Sequence, residues 1–253
     1  MTERKSGAPK RHPTPARAAR RKARPQPVKA DVRTEDARKF ADIIERSFPR
    51  AQGGTLRSLI DAPARRFDAG DTVVAQGDDR HTVFVFNGHL GLRRMTVDGR
   101  ELIPRVVSTG ELAALLSIVS RPSAVEAVAL SECHVALWSG RQIHALANGD
   151  TGFALDLLDH VLLAFEAIVG RLDGLRHQNS VRRVARVLED HAKLVFGETA
   201  TVPRTYLPAL VGTSREMMGR VLRALESDGV VARDGRSRLK LLDPERLTRL
   251  ADR

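Results

Sequence analysis

Five glycines, Gly70, Gly77, Gly88, Gly99 and Gly110, recur at intervals of 7, 11, 11 and 11 residues. The runs between them, 72–75, 82–86, 90–97 and 102–107, are short and rich in apolar and β-branched residues. Turn glycines at roughly 8–12-residue spacing with short strands between them restrict this part of the chain to a β-sandwich or barrel. Asp98-Gly99 is a hairpin signal within the series. Further strands are predicted over 124–130 and 134–138, and Ser139 is placed to cap a short helix through Ala147. Ahead of the series, Ala37, Phe40, Ile43, Ile44 and Phe48 fall at helical spacing. They predict a helix over roughly 35–48, with Pro49 after its end.

The chain of 253 residues is long enough for two domains and a tail. Its net charge of +11 is not spread evenly. Residues 1–30 hold Arg4, Lys5, Lys10, Arg11, Arg17, Arg20, Arg21, Lys22, Arg24 and Lys29 against the single acid Glu3. The folded body is therefore nearly neutral. The start also carries Pro9, Pro13, Pro15, Pro25 and Pro27 and almost no large aliphatic residue, so it reads as a disordered tail. Such a tail is either a flexible arm on nucleic acid or a solubilising extension. No apolar run reaches the ~18 residues of a membrane span, and no secretory signal is visible. The single cysteine, Cys133, excludes an intrachain disulfide and a cysteine-built metal site, and it fits a cytoplasmic location. The eight histidines show no metal-ligand spacing. No nucleophile–base set, metal cluster or P-loop is visible, so no metal site, no catalytic residue and no enzyme are expected.

Residues 150–177 read as one helix. Phe153, Leu157, Val161, Phe165, Ile168, Leu172 and Leu175 follow steps of three and four, the seam of a helix that pairs with its own copy. Leu155, Leu158, Leu162 and Val169 widen the apolar face, so one side can also pack on the β domain. Burial of the whole helix within one monomer is the alternative. Asn179 or Ser180 then caps a new helix through about Val195, and the break between the two is a hinge. From 205 to 228 the pattern is helix, turn, helix. Leu207, Leu210 and Val211 are apolar, Gly212 supplies the turn, and Thr213 opens the second helix with Thr-x-x-Glu capping-box spacing to Glu216. Met218, Val221, Leu222 and Leu225 form a core stripe, with Arg215, Glu216, Gly219, Arg220 and Arg223 opposite. Gly229 ends the helix. Two β runs flanking Asp234-Gly235 follow, so the unit is a winged helix-turn-helix.

The phrases FDAGDTVVAQGD, FNGHLGLRRMTVDGRE, STGEL and VALSECHVALW, taken in order, resemble the cyclic-nucleotide-binding jelly roll of the Crp/Fnr regulators. The stretch LVGTSREMMGRVLRALESDGVV resembles that family's helix-turn-helix signature. The resemblance runs over about 65–253. It implies that Gly110, Glu111 and Leu112 open the loop and short helix that hold an effector phosphate. It also implies an Arg-Ser pair at the far end, here carried by Arg121 and Ser123. Counting from either side gives different registers, and Pro122 splits the pair. The Thr-Ser pair that cyclic AMP binders carry on the long helix is replaced by Ile168 and Val169. Cyclic AMP is therefore disfavoured, and no cofactor is fixed beyond a possible small-molecule effector. The alternative for Glu111 and Arg121 is a helix cap and a solvated loop arginine. On DNA, the resemblance makes Arg215, Glu216 and Arg220 the base readers, toward a TGTGA-type half-site. Thr213 and Ser214 then lie at the helix start, with Arg236 and Arg238 in the wing on phosphates. Glu216 could instead only close the capping box, and Arg220 only touch phosphate. Pro208 departs from the family pattern. It either kinks the first helix or sits in its first turn.

The expected fold class is α+β. A basic tail covers 1–34, a cyclic-nucleotide-binding-like jelly roll 35–149, a dimerisation helix and hinge 150–178, and a winged helix-turn-helix 179–253. The expected function is a sequence-specific, homodimeric, effector-responsive DNA-binding transcription regulator. Its expected partners are double-stranded DNA and a second copy, with RNA polymerase a further candidate and no membrane. The alternatives are an effector-independent DNA-architectural protein using the same reader plus the tail, and an RNA or polyphosphate binder relying on residues 1–30.

Overall fold

A computed structural model describes residues 34–95, 101–177, 179–197, 202–235 and 238–252. The basic tail, the Asp98-Gly99 turn and Arg236 lie outside the described residues. Helix α1 (Thr34–Ser47) is the predicted amphipathic helix, and its Ile44, with Phe48 just beyond its end, is buried. A second helix, α2 (Gly53–Ile60), follows.

The glycine-punctuated region forms two four-stranded antiparallel sheets. Their strands are β1 (Ala64–Phe67), β2 (Thr72–Val74), β3 (His81–Asn87), β4 (Leu90–Met95), β5 (Glu101–Val107), β6 (Leu112–Ala113), β7 (Glu126–Ala129) and β8 (Cys133–Ser139). One sheet runs β1-β8-β3-β6 and the other β2-β7-β4-β5, the jelly roll expected. Gly70, Gly77, Gly88 and Gly110 all sit at positive φ, which explains why the turns recur on glycine. At Gly88 the need is also spatial, because a Cβ would lie 2.3 Å from the Glu132 carbonyl oxygen. Phe67, Val74, Val83, Val85, Val107 and Val135 fill the space between the sheets. A second cluster, Phe48, Phe84, Trp138, Phe153 and Leu157, joins the roll to the helices.

Helix α3 (Gly140–Gly149) starts after Ser139, whose side chain makes no capping bond, and leads into α4 (Thr151–His177). The first half of α4 is tied down by polar groups. Asp156 is buried and accepts from the Arg50 amide and guanidinium, both at 2.9 Å. Asp159 pairs with the same guanidinium, and a His160 ring nitrogen meets the Ser47 carbonyl at 3.1 Å. Phe153 and Leu157, expected on the seam between copies, are buried within the monomer by this arrangement. That removes these two from the seam, whose Val161, Phe165, Ile168 and Leu172 remain exposed. Leu155, Leu158, Leu162 and Val169 are exposed beside them and give, with Phe165 and Leu172, a stripe in steps of three and four. Leu175 has no described side chain.

The helix expected from Asn179 to about Val195 is two helices, α5 (Ser180–Asp190) and α6 (Ala192–Phe196), broken at His191. Asn179 is the cap and accepts from the Arg182 amide at 2.8 Å. Helices α7 (Leu207–Val211) and α8 (Arg215–Ser227) form the helix-turn-helix. Strands β9 (Val231–Asp234) and β10 (Arg238–Leu241) form the wing, and α9 (Pro244–Asp252) packs back on α5. Ile103, Val128 and Leu130 of the roll belong to the same buried cluster as Val184, Leu188, Leu207 and Leu210, so the two units share a core.

Candidate nucleic-acid interface and sensor pocket

Pro208 lies in the first turn of α7 and does not kink it, because a helix start leaves that amide unpaired anyway. A short 3-10 turn, Arg204–Tyr206, leads in. Gly212 closes α7 at φ 71°, and the Thr213 amide bonds back to the Pro208 carbonyl at 2.9 Å. The turn therefore ends one residue later than the Thr-x-x-Glu spacing suggests. Ser214, not Thr213, is the cap of α8, and its hydroxyl accepts from the Met217 amide at 3.1 Å. The capping box does not form. Glu216, freed from that role, stands exposed and accepts from Arg220 at 3.4 Å, one turn on. Met218, Val221, Leu222 and Leu225 are buried as the core stripe. Arg215, Glu216, Arg220 and Arg223 are exposed on the far side of the helix.

The wing alternates in the same sense. Leu239 is buried and Arg238 and Lys240 are exposed, while Arg233 is held by Glu226 at 2.9 Å. Lys240 was missed in the sequence, although the alternation about Leu239 could have found it. The start of α8 also borders the sensor. Met95 and Glu101 line a cavity of about 320 Å³ with Thr205, Pro208, Thr213 and Arg215.

In the jelly roll, Gly110 is a turn glycine at φ 83°. The Glu111 carboxylate accepts from the Ser108 amide at 2.6 Å and from Arg105 at 3.2 Å, and Arg105 is itself buried. Leu112 belongs to β6 and no helix opens there. The short helix of this loop is a 3-10 turn, Leu115–Val119, with left-handed Ala114 and Ser120 at its ends. Arg121 is exposed. Ser123 is buried, and its hydroxyl donates to the Val125 carbonyl at 2.7 Å. Of the five expected effector residues, only Gly110, Glu111 and Leu112 adjoin one another. Cys133 is buried among apolar side chains, which push its thiol up to about 12, so it is unreactive.

Two family descriptions match the chain: the cyclic nucleotide-binding domain over residues 64–150 and the Crp-like helix-turn-helix domain over 182–250. The cAMP-activated global transcriptional regulator Vfr of Pseudomonas aeruginosa is 26% identical over 185 residues, covering 68% of this chain and 86% of Vfr. The cyclic AMP receptor protein of Thermus thermophilus is 29% identical over 174 residues, covering 66% and 78%. A crystal structure of a CRP/FNR-family transcriptional regulator from the same organism superposes with a TM-score of 0.64 at 24% identity, covering 75% of this chain and 98% of that one.

The chain belongs to the Crp/Fnr family. As a Crp/Fnr member it is a DNA-binding transcription regulator, and among its described residues no helix is long and apolar enough to cross a membrane. The expected place of its phosphate loop also needs correcting. Gly-Glu-Leu is expected to open the short helix, and in this Crp/Fnr chain that helix opens with Ala114-Leu115-Leu116. Ala114 takes the left-handed position, where glycine is the usual residue, and the acidic position falls on Leu115. Glycine identity alone misled the count, because Gly110 serves the preceding turn.

Proposed function

We propose that this regulator binds DNA as a homodimer, reads bases with Arg215, Glu216 and Arg220, and couples its jelly roll to DNA through the α4–α5 junction. The observation carrying the reading is the exposed row on α8, opposite its buried stripe and at its first two turns, where a recognition helix meets base edges. Arginine pairs bidentately with guanine, and a carboxylate accepts from cytosine N4. Thr213 and Ser214, at the helix start, and Arg238 and Lys240, in the wing, supply phosphate contacts. Arg236 joins them on its sequence position alone. Two half-sites require two readers, and the Leu155-to-Leu172 stripe supplies a self-pairing seam.

The effector, where one acts, is not cyclic AMP. The phosphate loop offers Leu115 and Ser123 where an acid and a guanidinium are needed, and Arg121 faces solvent. A phosphate without a guanidinium or free helix-start amides gains little over water. The same observation favours the second reading, a regulator that needs no effector. Selection from randomised duplex DNA tests the main proposal. Inverted TGTGA-type half-sites about one helical turn apart are expected. Recovery of single or unrelated sites would sink it. Calorimetry with cyclic AMP tests the second point, with no complex tighter than about 1 mM expected.

A further inference from the structure

Several glycines are explained by the fold. A Cβ would lie 2.1 Å from the Ser117 carbonyl oxygen at Gly140 and 2.0 Å from that of Arg50 at Gly152, and Gly212 and Gly229 stand at positive φ. Gly219 has no such cause. It is the fifth residue of α8, and its φ lies outside the left-handed region. A Cβ there would find only the Arg223 Nη1, at 3.6 Å, an ordinary contact with the end of a flexible side chain. Only proline is a poorer residue for the interior of a helix. An alanine would therefore fit and steady α8, and no described neighbour accounts for the glycine. Its place on the helix is telling. Glu216, Gly219, Arg220 and Arg223 follow i, i+3, i+4, i+7, opposite the buried Met218, Val221 and Leu222. The three charged residues of that row are exposed. The missing Cβ leaves a notch one methyl group deep among them.

We propose that Gly219 is a further specificity-determining residue, whose notch admits the C5-methyl group of a thymine in the major groove. This role rests on the proposed base-reading face of Arg215, Glu216 and Arg220, and adds a reading by shape to their reading by hydrogen bonds. The C5-methyl is the apolar group that a base pair projects into the major groove, and it marks T·A against C·G. A residue with an apolar side chain meets it by contact. A residue with no side chain meets it by letting the helix backbone come closer. With cytosine at the same place the notch stays empty, and its lining loses those contacts. With a Cβ in the notch, two methyl groups compete for one space and the helix rides higher on the DNA. Gly219 thus trades helix stability in the free protein for a closer seat on DNA.

The test is a cycle of two methyl groups, one on the protein and one on the DNA. The full-length protein is titrated with a duplex carrying its selected site, and with duplexes in which each thymine of the half-site is replaced in turn by deoxyuridine. A scrambled duplex is the control. The wild type should lose roughly fourfold in affinity at one thymine, the worth of one buried methyl. Gly219→Ala should melt roughly 2–4 °C higher than the wild type. It should bind the selected site on the order of tenfold more weakly. Most of that loss should return on the duplex with deoxyuridine at that one position, and binding to the scrambled duplex should not change. Equal affinity of variant and wild type for the selected site would overturn the proposal, as would a loss that no deoxyuridine relieves. A lower melting temperature would do the same, because the glycine would then have a cause inside the protein. The deoxyuridine scan on the wild type needs no variant, and indifference to every thymine methyl also sinks the idea. Arg220→Ala keeps the two assignments apart. If it changes the consensus while the methyl cycle fails, the notch alone is wrong. If it leaves the consensus as it was, the reading face itself is misassigned.

Discussion

At the residue scale, the Glu216–Arg220 pair is the most exposed commitment of the reading face. Both side chains are largely in solvent, so the pair itself adds little stability. On the proposed reading, it would hold two base-reading groups in register before DNA arrives. Arg220→Ala should leave Tm nearly unchanged, cost on the order of 1–3 kcal/mol in specific binding, and relax preference at one base pair of each half-site. Randomised-site selection on wild type and variant checks this, and an identical consensus from both would make Arg220 a backbone contact. Arg238→Ala should weaken all sequences about equally, seen as the same drop in affinity on specific and scrambled duplexes. The exposure of these residues was legible, because the apolar stripe at helical spacing turns the other face of α8 to solvent. The cap was not legible. Thr213 and Ser214 both suit it, and only the bond from the Thr213 amide to the Pro208 carbonyl decides between them.

At the scale of elements, α4 carries two apolar stripes, and the sequence alone cannot say which one meets the sensor. The choice is made by Asp156, Asp159 and His160, whose partners Arg50 and Ser47 come from the segment between α1 and α2. Once they are bonded, Phe153 and Leu157 turn inward and Leu158, Leu162 and Phe165 turn out. Leu162→Glu with Phe165→Glu should therefore keep the chain monomeric and folded, because in the proposed dimer like charges would face each other across the two-fold axis. Sedimentation checks it, and a variant that remains dimeric would move the interface elsewhere. Gly152 shows how close the fit is, since a Cβ there would lie 2.0 Å from the Arg50 carbonyl oxygen. The longer strands were legible through their glycine turns. Strand β1, with two arginines in four residues, and β6, with two residues, carry too little pattern to be found. The short helix after Gly110 was misplaced because its left-handed start falls on an alanine.

At the scale of the whole molecule, the junction holds the groups most sensitive to pH. Burial pushes His191 down to about 4, and burial also lowers His89 and His160. A histidine depressed in the folded state binds its proton more readily when unfolded, at its ordinary value of about 6.5. Its contribution is present above about 6.5 and is lost as pH falls toward 4, by roughly 3 kcal/mol for His191. Asp190, raised by burial, works partly against this. Tm should therefore drop between about pH 6.5 and 4.5, and His191→Gln should make the drop shallower. An unchanged slope would remove His191 as its source. The basic tail acts on a different quantity. Deleting residues 1–30 should flatten the salt dependence of DNA binding, by up to roughly 0.9 in slope for each phosphate the tail had neutralised, and leave the consensus as it was.

The core shared by Ile103, Val128, Leu130, Val184 and Leu207 has a consequence for how such a regulator can vary. The cluster that holds the C-terminal unit folded also holds it against the jelly roll. On the proposed coupling of jelly roll to reader, heat tolerance and response are not tuned separately at these positions. A screen for thermostable variants would enrich substitutions at this core that also lock the response, and a screen for constitutive regulators would recover proteins that melt earlier.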